Sequence, residues 1–138
     1  MFTVQRVTTC SECGSKLNLA GPLWLGRLFD ANFCELLENQ AHQQGLEERT
    51  RRMLALIRTE VEAPITYYVV DKLCDSLNLP VPPVRKVVEA LKKEGFLASL
   101  THFSSRGIRS NAPASRIRET LLDLARERRT DRIRIDFT

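Results

Sequence analysis

The alternation of apolar and polar residues divides the chain into short elements of two different periods. FTVQRVTT (2–9) alternates and is rich in β-branched residues, which predicts a strand. CSECGSK (10–16) reads as a knuckle-like turn, and LNLAGPLWLG (17–26) is broken at Gly21-Pro22. Helical spacing starts after Asp30, a predicted N-cap, and runs through ANFCELLENQAHQQ with Phe33, Leu36, Leu37 and Ala41 on one face and Gly45 as its stop. LEERTRRMLALIRTEVE predicts a second helix with Met53, Leu54, Leu56 and Ile57 inward, Glu47–Arg51 and Glu48–Arg52 as surface pairs, and an end at Pro64.

The second half is more regular. TYYVVDKLCDSLN places Val69, Val70, Leu73 and Leu77 at helical spacing, LPVPP is a stiff turn, and VRKVVEALKKEG is a helix with Val84, Val87, Val88 and Leu91 inside and Gly95 at C′. FLASLTHF then alternates like a strand, SSRG turns, and GIRSN returns. Helix, turn, helix and two-stranded hairpin is the order of a winged helix. APASRIRETLLDLARERR closes the pattern as a helix opened by Pro113, with Ile117, Leu121, Leu122 and Leu124 buried, and TDRIRIDFT predicts an edge strand or a frayed tail. The expected class is α+β: a helix-rich, winged-helix-like module (29–138) preceded by a segment (1–28) holding the strand, the C-x-x-C knuckle and the GPLW loop.

Charge changes this picture. The chain of 138 residues carries a net +4, distributed unevenly: residues 1–84 hold eight Lys/Arg and ten Asp/Glu, residues 85–138 thirteen and seven. A basic half points to a polyanion, most often nucleic acid. Arg85, Lys86, Lys92 and Lys93 fall on the outward face of the second helix of the winged-helix-like segment. His102, Arg106 and Arg109 bracket the Ser-Ser turn of the hairpin, where hydroxyls, guanidinium groups and bared backbone suit phosphate contact. The bland alternatives are a solvated helix face and a solvated hairpin tip.

Four cysteines at uneven spacing, with no apolar secretory segment at the N-terminus, read as thiols of a cytoplasmic protein. No stretch is long and apolar enough to suggest a membrane span. Cys10 and Cys13, followed by Gly14, have the form of half a zinc-ribbon knuckle; inert thiols and a redox pair are the alternatives, and a redox C-x-x-C would open a helix. Cys34 and Cys74 fit as small core residues, and His42 as an exposed helix-end residue. No Gly-rich phosphate loop, G-x-G-x-x-G, catalytic Ser/His/Asp set or conspicuous carboxylate pair is present, so the chain shows no place for a nucleotide or methyl-donor cofactor and no catalytic residues.

Three stretches, CSECG with the following GPLWLG, then APITYYVVDKL, then THFSSRGIRSNAP, resemble the C-terminal region of the tRNA (guanine-N2)-dimethyltransferases of archaea and eukaryotes. The specific residues are Gly21, Pro22, Leu23, Trp24, Gly26 and Asp30, and then His102, Gly107, Ile108, Ser110, Ala112 and Pro113. The resemblance spans about Thr8 to Leu122. It implies a tRNA-binding, substrate-positioning part whose S-adenosylmethionine-binding catalytic domain lies upstream or on a separate chain, so that this sequence is a fragment inactive by itself. It also implies an earlier C-x-x-C upstream that would complete a zinc site with Cys10 and Cys13. Gly21, Pro22 and Trp24 would then form a loop at the domain interface or in this domain's own core. A free-standing winged-helix DNA-binding regulator is the alternative, weakened because VRKVVEALKKEG offers Arg85 but no Asn or Gln to read bases. A structural domain with RNA bound elsewhere is a third reading.

Overall fold

The computed structural model describes residues 8–11, 14–18, 21–22, 24 and 26–135, with side chains as far as 128. Two helices come first, α1 (Ala31–Gln43) and α2 (Glu48–Thr59). A two-residue strand β1 (Tyr68–Val69) runs directly into α3 (Val70–Ser76), followed by α4 (Val84–Lys93), the hairpin β2 (Ala98–Leu100) and β3 (Gly107–Ser110), and the long α5 (Ala114–Ile135). The strands form an antiparallel sheet of order β1-β3-β2, with Tyr68 opposite Ile108 and Ser99 opposite Arg109. The molecule is therefore mixed, with helices packed on a small antiparallel sheet.

Local chemistry accounts for the helix ends. The Asp30 side chain accepts from the Phe33 N–H at 2.8 Å and caps α1 as expected. Gly45 and Gly95 take φ of +62° and +89°, which lets the two following N–H groups turn back on the last turn: Leu46 donates to Ala41 O and Phe96 to Leu91 O. Asn78 (φ +53°) does the same for α3, with Leu79 donating to Cys74 O.

The core lies between α3, α4, α5 and one face of the sheet. Val70 and Cys74 come from α3, Val87, Val88 and Leu91 from α4, Ala98 and Ile108 from the strands, and Ile117 and Leu121 from α5. Central strand β3 is buried along its whole length, because helices cover one face and the end of α2 covers the other. Period-2 alternation sends Ile108 into the core and Arg109 to the opposite face.

Several expectations need correction. TYYVVDKLCDSLN is not a single helix: Tyr68 and Val69 pair with β3 before α3 begins. In α1, Cys34 and Ala41 are buried, whereas Phe33, Leu36 and Leu37 are exposed. These small residues mark the side that packs in the α1–α2 pair, where Arg58 bridges Glu35 and Glu38. Met53 is exposed, and α2 buries no residue fully. The surface pairing on α2 differs too: Glu48 holds both Arg51 and Arg52, at 2.8 and 2.7 Å. Helix α5 continues to Ile135 where an edge strand or frayed tail was expected. The predicted strand 2–9 lies mostly outside the described residues; Thr9 and Lys16 form an isolated antiparallel bridge.

Candidate nucleic-acid interface

Helix α4 presents its basic residues because its apolar ones are taken. Val87, Val88 and Leu91 face the core, which leaves Arg85, Lys86, Lys92 and Lys93 exposed on the other side. Arg85 and Lys92, and likewise Lys86 and Lys93, are seven residues apart and so stand two turns apart on one face. The ion pairs among the described residues do not involve any of these four. Near the end of the helix, Glu94 instead engages Arg116 of α5 at 2.5 Å, and that guanidinium holds the Glu94 carboxyl below the usual carboxylate range.

The loop between β2 and β3 is tightly built. Thr101 Oγ1 donates to Ser104 O at 2.7 Å, the Gly107 N–H donates to Ser104 O at 3.2 Å, and the Arg106 N–H donates to Ser104 Oγ at 3.3 Å. A Cβ on Gly107 would stand 2.6 Å from Thr101 Oγ1, so only glycine fits there. Arg106 is exposed and paired with Asp71 of α3.

Two of the expected contact residues point elsewhere. Arg109 is not on a solvated hairpin tip: its side chain is 6 % exposed. Its Nε donates to Glu60 Oε2 at 2.7 Å, and its Nη1 donates to the carbonyls of Pro64 and Ile65 at 2.8 Å each. His102 is half-buried, and the other oxygen of Glu60 is its partner: the backbone N–H donates to Oε1 at 2.6 Å, and Nδ1 lies 2.8 Å from the same atom. Glu60 is fully buried at the end of α2. It ties that helix to the loop and the central strand, residues more than forty positions away in sequence. Glu60 was missed by sequence reasoning. Its signal is positional: it follows Leu56 by four and Ile57 by three, which puts it on the inward face of α2.

Aromatic rings gather around this ionic cluster. Phe29 lies edge-on to His102 with centroids 6.2 Å apart, and Phe103 contacts Tyr67 (5.0 Å) and His102 (5.1 Å) in near-perpendicular arrangements. The Arg109 guanidinium carbon stands 5.9 Å from the Phe29 centroid and 5.7 Å from that of Phe103. Trp24 does not anchor the core: it is 70 % exposed, with its indole N–H donating to Arg27 O at 3.3 Å. Gly21 and Pro22 are exposed beside it.

At Cys10 the backbone forms a tight turn. The Cys10 N–H donates to Ser15 O at 2.8 Å, the Gly14 N–H donates to Cys10 O at 2.9 Å, and Gly14 has φ +71°. Cys13 lies outside the described residues, and among the described residues no group of three or more His, Cys, Asp or Glu is placed to hold a metal. Cys34 and Cys74 are buried, and burial, followed by Asp71 and Asp75, pushes the Cys74 thiol up. His42 is exposed. No helix among the described residues is long and apolar enough to cross a membrane.

The family profile described as N2,N2-dimethylguanosine tRNA methyltransferase matches residues 1–122. The chain belongs to this family. It is 38 % identical over 118 residues to the tRNA (guanine(26)-N(2))-dimethyltransferase of Methanobrevibacter smithii, covering 84 % of this chain and 30 % of that protein. It is 34 % identical over 118 residues to the tRNA (guanine(26)-N(2)/guanine(27)-N(2))-dimethyltransferase of Aquifex aeolicus, covering 83 % and 29 %. Trm1 from Pyrococcus horikoshii, solved in complex with S-adenosyl-L-methionine, is similar in fold with a TM-score of 0.64 and 28 % identity, over 73 % of this chain and 28 % of that one. The resemblance read from the GPLW and HFSSRGIRSNAP stretches is thus borne out, whereas the alternative of a DNA-binding regulator gains no support from these relatives. This dimethyltransferase-family chain spans about 30 % of the length of the curated relatives it matches.

The cleft between α4 and α5 does not have the lining of an adenosyl site. That cleft, of about 390 Å³, is lined mainly by charged side chains including Lys86, Glu89, Lys93, Asp123 and Glu127. A site for an adenosyl group is mostly apolar with a few placed polar groups.

Proposed function

We propose that this chain is the tRNA-binding, substrate-positioning part of an S-adenosylmethionine-dependent tRNA guanine-N2 dimethyltransferase, and that methyl transfer is the work of a methyltransferase domain outside this sequence. The observation that carries the reading is the free basic face of α4 on a module matching under a third of each relative. The helix–turn–helix–hairpin order, with β1 added to the hairpin on the β3 side, supports a winged-helix-like module over 29–138. In this reading α4 and Arg106 contact tRNA phosphates, and His102 and Arg109 shape the wing through Glu60. The segment 1–28 is a linker. Its Cys10 and Cys13 supply half a zinc site completed by ligands elsewhere, because a structural zinc takes four.

The methyltransferase domain docks on the exposed Phe33, Leu36 and Leu37 of α1 together with the Gly21-Pro22-Trp24 loop. Bulky apolar side chains left outward on one helix face favour a partner surface over water. The test is titration of unmodified tRNA at several salt concentrations. Each neutralised phosphate releases counterions, so affinity falls steeply with salt, and replacing Arg85 and Lys92 together by Ala flattens the slope by about two units. The control replaces Arg51 and Arg52, both held by Glu48, and leaves binding nearly unchanged. Equal losses in the two double variants would refute the assignment of the RNA face to α4.

A further inference from the structure

The aromatic rings beside the wing are not needed by the core. Tyr67 and Phe103 are 47 % and 48 % exposed, yet they are held against each other at 5.0 Å. Leaving two rings half in water forgoes apolar burial, which a surface turn gains nothing from. Their placement is also unusually fixed for a loop. Phe103 is backed by the Arg109 guanidinium at 5.7 Å and by the His102 ring, and both of those are anchored on the buried Glu60 carboxylate. The loop itself is cross-braced by Thr101 and Ser104.

We infer that Tyr67 and Phe103 form a stacking platform for an unpaired nucleobase of the RNA, a contact that adds to the phosphate contacts of α4 and rests on the tRNA-binding reading above. Three properties match that ligand. A base presents an apolar π-face that stacks on an aromatic ring whatever its sequence, and single-stranded RNA is commonly held this way. The platform is rigid before binding, so little side-chain freedom is lost when a base docks. Exposed Arg106 lies three residues from Phe103 on the same loop, in the half of the chain with excess positive charge, which suits a ligand that carries phosphates. Glu60 is then a positioning residue: it touches no RNA but sets the rings through His102 and Arg109.

The experiment uses the whole chain with two probes, unmodified tRNA and a short single-stranded RNA carrying 2-aminopurine. The wild type quenches 2-aminopurine fluorescence on binding. Phe103→Leu keeps an apolar side chain but loses the π-face, so quenching disappears and affinity falls about 5- to 150-fold per lost base contact. The slope of affinity against salt stays as in the wild type, because no phosphate contact is removed. Phe103→Tyr restores both quenching and affinity. Since Phe103 is half exposed, circular dichroism of the variants matches the wild type. If Phe103→Leu and Tyr67→Ala both bind RNA as the wild type does, while the wild type retains its steep salt slope, the platform is refuted and the tRNA-binding reading stands; the rings then belong to a protein contact. If the wild type binds neither probe, both readings fall together.

Discussion

Replacing Arg109 by Ala separates a buried strut from a phosphate contact, and the two roles differ in stability by several kcal/mol. In the structure the guanidinium makes one ionic hydrogen bond to Glu60 and two to the carbonyls of Pro64 and Ile65, with Glu60 entirely out of water. Truncation leaves the carboxylate with only its His102 contacts and strips both carbonyls of this donor. Breaking a buried pair by removing one partner costs about 3–5 kcal/mol, which is a large share of the roughly 5–15 kcal/mol that holds a domain together. With a urea slope of about 1–3 kcal/mol/M, the midpoint falls by about 1–5 M. Arg106→Ala is the matched comparison. In its pair with Asp71 the guanidinium is exposed to solvent, and pairs open to water in this way contribute about 0–1 kcal/mol. The assay is urea denaturation followed by circular dichroism, with a third protein carrying Glu60→Gln and Arg109→Met. That double variant removes both charges and loses less than the sum of the single changes. If Arg109→Ala shifts the midpoint no further than Arg106→Ala, the Glu60 cluster does not organise the β2–β3 hairpin.

Core packing gives a simpler expectation: Leu91→Ala, at a fully buried α4 position, destabilises by about 2–5 kcal/mol in the same urea assay. Burial raises the Cys74 thiol, so mass spectrometry after mild alkylation at neutral pH should find Cys10 modified first and Cys74 only after unfolding. Because Arg116 lowers the Glu94 carboxyl, its stabilising contribution is fully present above the ordinary carboxylate range and is lost as pH falls through the lowered value; Glu94→Gln should flatten that part of the acid-unfolding profile. Incubated with unmodified tRNA and labelled S-adenosylmethionine, the chain alone should transfer no methyl group, and turnover would contradict the division of labour proposed above.

The parts of the fold that depend on local chemistry were legible in the sequence. The VRKVVEALKKEG helix, its glycine stop, the Asp30 cap and the hairpin around Gly107 follow from spacing and backbone preference within a few residues. Strand β1 was hidden because two residues of a β-branched and aromatic run pair with β3, and the same run then turns helical without a break. The face of α1 was misread because periodicity identifies an apolar side but not whether this chain covers it. Arg109 and Glu60 were misjudged or missed for one shared reason: their burial depends on each other, 49 residues apart. Helical spacing after Leu56 and Ile57 separates the inward Glu60 from the exposed Glu62, but it does not reveal the arginine of β3 that makes full burial of a carboxylate possible.

Competition binding of the purified chain to folded, unmodified tRNA and to duplex DNA of equal charge, across a range of salt, tests the proposed role most directly. A surface built to hold tRNA by its phosphates and one stacked base binds tRNA more tightly than DNA at every salt concentration, and it keeps a residual, salt-insensitive preference when the phosphate contacts are screened. Equal affinity for the two polyanions at all salts, or no binding to tRNA, would contradict it.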